Sequence, residues 1–332
     1  MKITKLFPLS LVVILNACNA SPSIKSEFLY CFDTKVDISI KDGNDDDYSA
    51  LKKILNKYDA VSDNFRQRSV FNVFSWSQTE EEVYFGEEKG KAPIELFNLV
   101  KASHRAKADG ADFFDPRLGS LINKWKEAEA KGEILEQSVI DEEIATRNNS
   151  YYTIHTDDDP SQHYIVQHGV RSFDYGATAK GCALDACKEY LDKKEELTDY
   201  IINAGSSSIL LGTNSRKKAG EVDYLINIKE LNGKAFYAHD CFVSTSGTLK
   251  QGITIDGKRY SHIIHSKTGL AITNWDEVIV LSNNGTYGDA FSTSMMFNTI
   301  EEITSLEEKL NLKTIIIKDK KIVYYHNGIK FK

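Results

Sequence analysis

"YIINAGSSSILLG", residues 200–212, decides the fold class, because two short apolar runs are separated here by Gly and Ser. Runs of this length between turn residues are typical of β-strands. Similar runs occupy much of the second half of the chain: "YIVQHGV" (164–170), "DYLINIK" (223–229), "AFYAHDCFVSTSG" (235–247) and "VIVLSN" (278–283). Long helices are predicted among them only at about 178–193 and 287–305. This succession predicts an α+β fold with a mainly antiparallel central sheet and packed helices.

The first half of the chain is richer in helices. A strand-like stretch at 30–40 is followed by an acidic helix start at residue 45, and apolar residues then recur at helical spacing. Two further helices are predicted at about 93–109 and 118–131, whereas 132–163 shows no clear pattern. The C-terminal stretch 313–332 predicts a three-stranded meander, since Asn327-Gly328 is a strong hairpin signal.

Composition places the chain among globular proteins. Its 332 residues are 41% hydrophobic and 27% charged. The 41 basic and 48 acidic residues give a net charge of -7, which argues against a surface that binds a phosphate backbone. Nucleic acid is therefore not an expected partner.

The N-terminus resembles an export signal. Lys2 and Lys5 precede the apolar run "LFPLSLVVIL", which is too short to span a bilayer as a stable helix. The run ends in "LNAC", a pattern similar to a bacterial lipobox, which predicts lipidation of Cys18 and a protein held on the periplasmic side of a membrane. The alternative is an ordinary signal peptide that is cleaved near Ala20 and removes Cys18.

Three segments are expected on this interpretation: a signal peptide and lipobox over 1–18, a linker over 19–26 and one folded body over 27–332. The body contains four cysteines, Cys31, Cys182, Cys187 and Cys241, without zinc-type spacing or a CxxC motif. They are interpreted as mostly buried packing residues, with one disulfide possible and no pairing assigned.

One predicted helix carries polar residues on an otherwise apolar background. In "GDAFSTSMMF" (288–297), Asp289 and Thr293 lie one helical turn apart and point the same way. Carboxylate and hydroxyl oxygens are the ligands that Mg²⁺ prefers. The alternatives are that Asp289 caps the helix and that the Thr293 hydroxyl bonds back to the helix backbone.

A second segment combines small residues with a helix start. "FDYGATAKGCALDACKEYLDK" (173–193) places a Gly between a strand-like stretch and an amphipathic helix, so that backbone N–H groups at the helix N-terminus would face an anion. The alternative is an ordinary strand-to-helix turn in which Asp174 is the cap.

Several segments resemble, in order, the motifs of one family. "ADFFDPRLGSLINKW" (111–125) is similar to "GAFDPTVGPLVNLW", and "DYGATAKGCALD" (174–185) to "DLGGIAKGYAVD". "VSTSG" (243–247), "DGKRYSHIIHSKTG" (256–269) and "GDAFSTSMM" (288–296) resemble "ATSG", "DGKRYSHIIDPRTG" and "ADALATALF". This is the pattern of the ApbE family, the FAD:protein FMN transferases.

The resemblance implies a T-fold-like body that binds FAD as its substrate together with Mg²⁺. It further implies that FMN is transferred from FAD to a Thr hydroxyl of an acceptor protein through a phosphoester bond, with release of AMP. The implied acceptor is a membrane-bound electron-transfer subunit.

The resemblance also assigns candidate site residues. The flavin-binding set is Phe65, Phe113, Phe114, Asp115, Asp174, Lys180 and Ile264. The metal set is the backbone carbonyl of Ala177 with Asp289 and Thr293. His262 is the implied base for the acceptor hydroxyl, because an imidazole titrates near neutral pH.

Departures from the family pattern leave the activity open. His265 and Ser266 replace Asp and Pro, Ser206 replaces a glycine, and Phe32-Asp33-Thr34 stands where the family has "MGT". Two alternatives to the transferase remain: a Mg²⁺-dependent FAD pyrophosphatase that yields FMN and AMP, and a lipid-anchored FAD-binding protein without catalysis.

Overall fold

The computed structural model describes residues 24–62, 82–86, 91–169, 172–213, 224–248 and 252–332, together with the backbone of residues 13–14. The helices in these ranges are α1 (Asp45–Ser62), α2 (Ile94–Ala108), α3 (Gly119–Lys131), α4 (Gln137–Asn148), α5 (Ala179–Asp192), α6 (Gly285–Met295) and α7 (Ile300–Leu310). The strands are β1 (Val13–Ile14), β2 (Lys25–Cys31), β3 (Thr34–Ile40), β4 (Glu82–Tyr84), β5 (Tyr151–His155), β6 (Tyr164–His168), β7 (Tyr200–Ala204), β8 (Ser208–Leu211), β9 (Tyr224–Asn227), β10 (Ala235–Ala238), β11 (Cys241–Gly247), β12 (Ile253–Ile255), β13 (Lys258–Tyr260), β14 (Glu277–Ser282), β15 (Lys313–Lys318), β16 (Lys321–Tyr325) and β17 (Lys330–Phe331).

A large central sheet organises the molecule. Its eight strands run in the order β16-β15-β14-β11-β8-β7-β3-β2, and each neighbouring pair is antiparallel. Smaller sheets have the orders β1-β9-β10-β17, β4-β6-β5 and β12-β13. The predicted α+β class with a mainly antiparallel central sheet is confirmed.

Both faces of the inner strands β7, β8 and β14 are covered, which explains why these strands are so apolar. On one face Val243 and Ile279 pack with Phe236 of β10. On the other face Phe242 packs with residues of α1 and α5, and Val280 packs with Phe291 of α6. Because side chains alternate along a strand, the residues of β11 on either side of Val243 point toward the helices.

The helix predicted at 287–305 is two helices, so that prediction was wrong. α6 ends at Met295 and α7 begins after Thr299. The Thr299 hydroxyl accepts a hydrogen bond from the Glu302 backbone N–H (3.3 Å), and the Glu302 carboxylate accepts one from the Thr299 N–H (2.8 Å). This capping box starts a new helix and prevents one continuous helix.

The predicted C-terminal three-stranded meander was also wrong. β15 pairs with β16, but β17 leaves this sheet and pairs with β10, where Phe331 lies opposite Phe236. Ile329 and Phe331 pack there in the core under the small sheet. Burial of these two side chains therefore decides the course of the chain after residue 326.

Three of the cysteines, Cys31, Cys182 and Cys187, are buried in the main core, as expected for packing residues. In the described part of the chain, every helix is too short or too polar to cross a bilayer.

Candidate functional site

Two helix N-termini, those of α5 and α6, meet over the central sheet, and glycines permit the contact. A Cβ atom on Gly181 would lie 2.2 Å from the carbonyl oxygen of Gly285, and one on Gly285 would lie 2.5 Å from the carbonyl oxygen of Gly181. Only glycine tolerates backbones this close. The glycine pair therefore brings the first turn of α5 against the helix that carries Asp289.

Asp289 lies at the centre of this contact and is almost fully buried. Its Oδ2 accepts a hydrogen bond from the Gly181 N–H (2.7 Å), and its Oδ1 accepts bonds from the hydroxyls of Ser208 (2.8 Å) and Ser244 (2.7 Å). The cap of α6 is Asn284, whose side chain accepts from the Tyr287 N–H. The alternative that Asp289 caps the helix is therefore wrong, and the anion that the N-terminus of α5 receives is the Asp289 carboxylate.

The serines of β11 are spaced so that they meet the polar residues of α6. Ser244 lies directly opposite Ser208 on β8, so both hydroxyls reach one carboxylate oxygen. Two residues further along β11, the Ser246 hydroxyl lies 3.1 Å from the Thr293 hydroxyl and 2.9 Å from that of Ser292. Thr293 therefore faces the sheet one turn after Asp289, as its spacing predicted.

The charge of Asp289 is poorly compensated. Burial raises the pKa of its carboxyl group, and the positive charge of Lys180 in the first turn of α5 acts in the opposite direction. Hydrogen bonds from Ser244, Ser208 and Gly181 also favour the ionised form, but burial outweighs them.

Asp185 has a related position between the same two helices. Its carboxylate accepts hydrogen bonds from the backbone N–H groups of Gly285 (2.6 Å) and Thr286 (2.9 Å) and from the Thr286 hydroxyl (2.7 Å). Burial raises the pKa of Asp185 to about 6. Asp185 thus fixes the start of α6 to α5 without any cation among these partners.

The predicted flavin residues Phe113 and Phe114 adjoin this helix. The Phe113 N–H donates to the hydroxyl of Ser294 (3.0 Å), the residue after Thr293. Phe114 is buried in the core beside α6, and its carbonyl oxygen accepts from Lys107 Nζ (2.9 Å). The ring of Phe113 is only half-buried and lies 4.6 Å from the His265 ring, so it is the more accessible of the two.

Asp115 is surrounded by cations. Arg117 donates to it from Nε (2.9 Å) and Nη2 (2.7 Å), while Lys107 Nζ and Arg147 Nη1 lie 3.3 and 3.4 Å from Oδ2. Burial raises the pKa of Asp115, but Arg117 and Lys107 outweigh burial and hold the pKa below its usual range. Its side chain has no exposed surface, so direct contact between this carboxylate and a flavin would require rearrangement.

The remaining predicted residues lie in two places: Asp174 and Ala177 precede α5, whereas Ile264 and His262 lie beside α3. Asp174 Oδ1 accepts from the Gly176 N–H (2.7 Å) and so shapes the turn before α5, while Ala177 packs beside the α6 core. Ile264 is buried with residues of α3 and α4. Half-buried His262 lines a small cavity with Trp125 and other α3 residues. Phe65 and Cys18 lie outside the described residues.

Comparison with known proteins identifies the family. The sequence profile of the ApbE family matches residues 32–316, which is most of the chain. The chain belongs to the ApbE family. This confirms the family assignment made from the motifs.

Named ApbE relatives are distant. A Klebsiella pneumoniae protein named FAD:protein FMN transferase is 24% identical over 237 residues, which are 69% of this chain and 72% of that protein. A Treponema pallidum protein of the same name is 26% identical, and the match spans 62% of this chain and 61% of the relative, less than two thirds of its length. The crystal structure of Pseudomonas stutzeri flavinyl transferase ApbE, apo form, superposes with a TM-score of 0.72 at 19% identity, covering 93% of this chain and 94% of that one.

Departures from the ApbE motifs have structural explanations. His265, in place of Asp, accepts hydrogen bonds at Nδ1 from the N–H groups of Lys267 and Thr268 (both 3.2 Å), as a carboxylate would. Burial lowers its pKa, which favours the neutral ring that can accept. Ser266, in place of Pro, donates to the Asp112 carbonyl (3.0 Å) and steadies the segment before Phe113.

Two further departures lie in turns. Phe32 and Asp33 form a two-residue turn between β2 and β3 with φ angles of 51° and 53°, and Ser206 has a φ of 68° after β7. The turns touch, since a Cβ on Gly205 would lie 2.5 Å from the Thr34 hydroxyl. A bulky Phe at positive φ is unusual and shows that the surrounding structure fixes this turn.

Sequence reasoning missed the residues that hold Asp289 and Asp115. Ser208 and Ser244 are buried hydroxyls in apolar strands, and such groups require hydrogen-bond partners. The alternation of Ser244 and Ser246 in "FVSTSG" was therefore a usable signal. Arg147, by contrast, reaches Asp115 from α4, in the stretch that showed no clear pattern.

Proposed function

We propose that this chain transfers FMN from FAD to a Thr hydroxyl of an acceptor protein. In this reaction the hydroxyl oxygen bonds to the FMN phosphorus, the pyrophosphate bond of FAD breaks, and AMP leaves. The step requires neutralised phosphate charge, a fixed geometry and a base for the hydroxyl proton. Membership of the ApbE family and the names of the relatives support this reaction class.

One observation carries the proposal: a buried carboxylate that forms no ion pair with any described residue lies between two helix N-termini. Asp289 accepts bonds only from hydroxyls and one N–H among the described residues. Burial of such a charge is unfavourable unless a cation accompanies it. A purely structural aspartate would be stabilised more by an adjacent Lys or Arg, as Asp115 is.

The oxygen-rich surroundings of Asp289 suit Mg²⁺. Asp289 and Thr293 provide carboxylate and hydroxyl oxygens, and the Ala177 carbonyl is the third donor in the ApbE pattern. A bound Mg²⁺ would supply charge neutralisation at the pyrophosphate. No described group of three or more His, Cys, Asp or Glu side chains is arranged to hold a metal, so neutral oxygens and substrate phosphates would complete this site.

His262 is proposed to take the proton from the acceptor hydroxyl. It is half-buried, and its neighbour Ile263 packs in the same core as Phe114 and α6. The segment 261–264 therefore spans the interval between the α6 core and α3. A His262→Gln variant should bind FAD normally but lose transfer, and the loss should diminish as pH rises if proton removal limits the rate.

The reaction is tested with purified protein, FAD, Mg²⁺ and a peptide that contains a Ser-Gly-Ala-Thr core. A covalently yellow peptide and free AMP support transfer, and a Thr-to-Val peptide is the matched control. Release of free FMN and AMP with either peptide would show that the chain hydrolyses the pyrophosphate of FAD, and the transfer proposal would be wrong. Unchanged FAD under all conditions would contradict both enzymatic functions.

For localisation, we propose that Cys18 is lipidated and anchors the folded body on the periplasmic side of a bacterial membrane. A membrane-bound electron-transfer subunit would then be an accessible acceptor. The support is the charged and apolar N-terminus that ends in "LNAC". Fractionation of cells that express a Cys18→Ser variant tests this, because equal membrane retention of variant and parent would contradict the anchor.

A further inference from the structure

The way Asp289 is held limits how it can bind a metal. An ionised carboxylate has about four acceptor positions, two on each oxygen. Ser208 and Ser244 both donate to Oδ1, whereas Oδ2 accepts only from the Gly181 N–H among the described residues. Because a carboxylate cannot donate, both serine hydroxyls must be the donors. Oδ1 is thereby saturated, and one acceptor position on Oδ2 remains.

Strand pairing and local packing hold both serine hydroxyls at Oδ1 of Asp289. Ser208 and Ser244 are directly opposed residues of β8 and β11, and both are buried. Gly288 makes room for them, since a Cβ there would lie 2.6 Å from the Ser244 hydroxyl. Ser244 also stands where the ApbE pattern "ATSG" has alanine, so the second hydroxyl on Oδ1 departs from that pattern.

Mg²⁺ and Ca²⁺ use carboxylates differently. Mg²⁺ is small and requires near-octahedral geometry, in which a carboxylate contributes a single oxygen. Ca²⁺ is larger, has more ligands and often takes both oxygens of one carboxylate. A carboxylate with one saturated oxygen therefore suits the smaller ion.

We propose that Ser208 and Ser244 make Asp289 a one-oxygen ligand and so select Mg²⁺ over Ca²⁺, an inference that rests on the proposed metal-dependent function. The two serines act through Asp289 and are positioning residues. Their removal frees Oδ1, lets Ca²⁺ engage both oxygens, and loosens the orientation on which Mg²⁺ depends.

The test is a calorimetric titration of MgCl₂ and CaCl₂ into the full chain, with and without FAD. The parent is compared with Ser208→Ala, Ser244→Ala and the double variant. We expect the Mg²⁺/Ca²⁺ affinity ratio to fall in each single variant and by roughly tenfold or more in the double variant. Ser208→Thr, which keeps a hydroxyl, should retain the ratio of the parent.

Ser282→Ala is the matched control, because Ser282 is a buried strand serine whose hydroxyl donates to the Asn284 carbonyl (2.7 Å) instead of Asp289. It should leave the ratio unchanged. If the double variant binds both ions more weakly by the same factor, the serines are merely structural and the selectivity proposal is wrong. If the parent binds neither ion, with or without FAD, the proposed metal site fails as well.

Discussion

Two buried aspartates, Asp115 and Asp289, lie near the hydrogen bond between Phe113 and Ser294 of α6, and their surroundings differ. Asp115 is surrounded by Lys107, Arg117 and Arg147. Within the described ranges, Asp289 accepts only from hydroxyls and a backbone N–H, and Lys180 is a cation that acts on it. The pKa of Asp115 is accordingly lowered and that of Asp289 raised.

On our proposal, this difference separates a structural carboxylate from a metal ligand. Asp115 is compensated by the protein itself, and its cations tie α2 and α4 to the segment at 113–117. Asp289 is left with a charge that burial disfavours, which is the expected state of a ligand that awaits a cation. Removal of the charge should therefore destabilise the protein strongly at Asp115 and little at Asp289.

The largest effect on stability is expected for Asp115→Asn. The substitution leaves three cations close together without their shared anion, which should lower the free energy of unfolding by about 3–5 kcal/mol. Urea denaturation measures this loss. A loss below about 1 kcal/mol would show that the cations are solvated without Asp115, and would contradict its role as their shared anion.

Asp185 resembles Asp289, because no cation is among its hydrogen-bond partners in the described part of the chain. The pH dependence of stability tests this resemblance. The Asp185 pKa of about 6 is above that of an unfolded aspartate, so the folded state retains the proton longer. Stability should therefore fall as pH rises from about 4 to about 6, by about 2 kcal/mol for this group. The slope should be smaller in Asp185→Asn, as measured by thermal midpoints across that range. If stability changed equally with pH in the parent and in Asp185→Asn, the raised pKa of Asp185 would be contradicted.

A smaller effect is expected for Thr293→Val. The substitution keeps the shape but removes a neutral oxygen that water can replace, so FMN transfer should fall by about tenfold at limiting Mg²⁺ and recover at high Mg²⁺. Initial rates across a Mg²⁺ titration test this. A loss that excess Mg²⁺ does not reduce would indicate a packing role beside Ser246 instead.

The sequence predicted most of the fold, because strands and helices that cover a core leave apolar patterns of period two or 3.6. α4 was not recognised, since Ile140 is its one buried residue and it has no clear apolar face. β17 was misassigned because its partner β10 lies almost a hundred residues earlier, and a local hairpin signal gives no information about such pairing.

The sequence predicted those parts of the candidate site that depend on local spacing, and missed those that depend on distant residues. Asp289 and Thr293 are one helical turn apart, so their common direction followed from local spacing. The partners of Asp289 on β8 and β11 are 81 and 45 residues away. The motif resemblance also placed Asp115 with the flavin residues, but only the fold shows that Arg147 and Lys107 enclose it.

The most direct test of the account is the thermal midpoint of the parent and of Asp289→Asn, measured from EDTA to high MgCl₂ at neutral pH. Without metal, the variant should be about as stable as the parent, because it loses a disfavoured charge while its amide oxygen can accept from the Gly181 N–H and its amide nitrogen can donate to the two serine hydroxyls. With Mg²⁺, the midpoint of the parent should rise and that of the variant should not, while FMN transfer by the variant should be lower by roughly 100-fold or more. An equal Mg²⁺-dependent rise in both proteins, or full transfer by Asp289→Asn at low Mg²⁺, would contradict the assignment of a metal site to this helix.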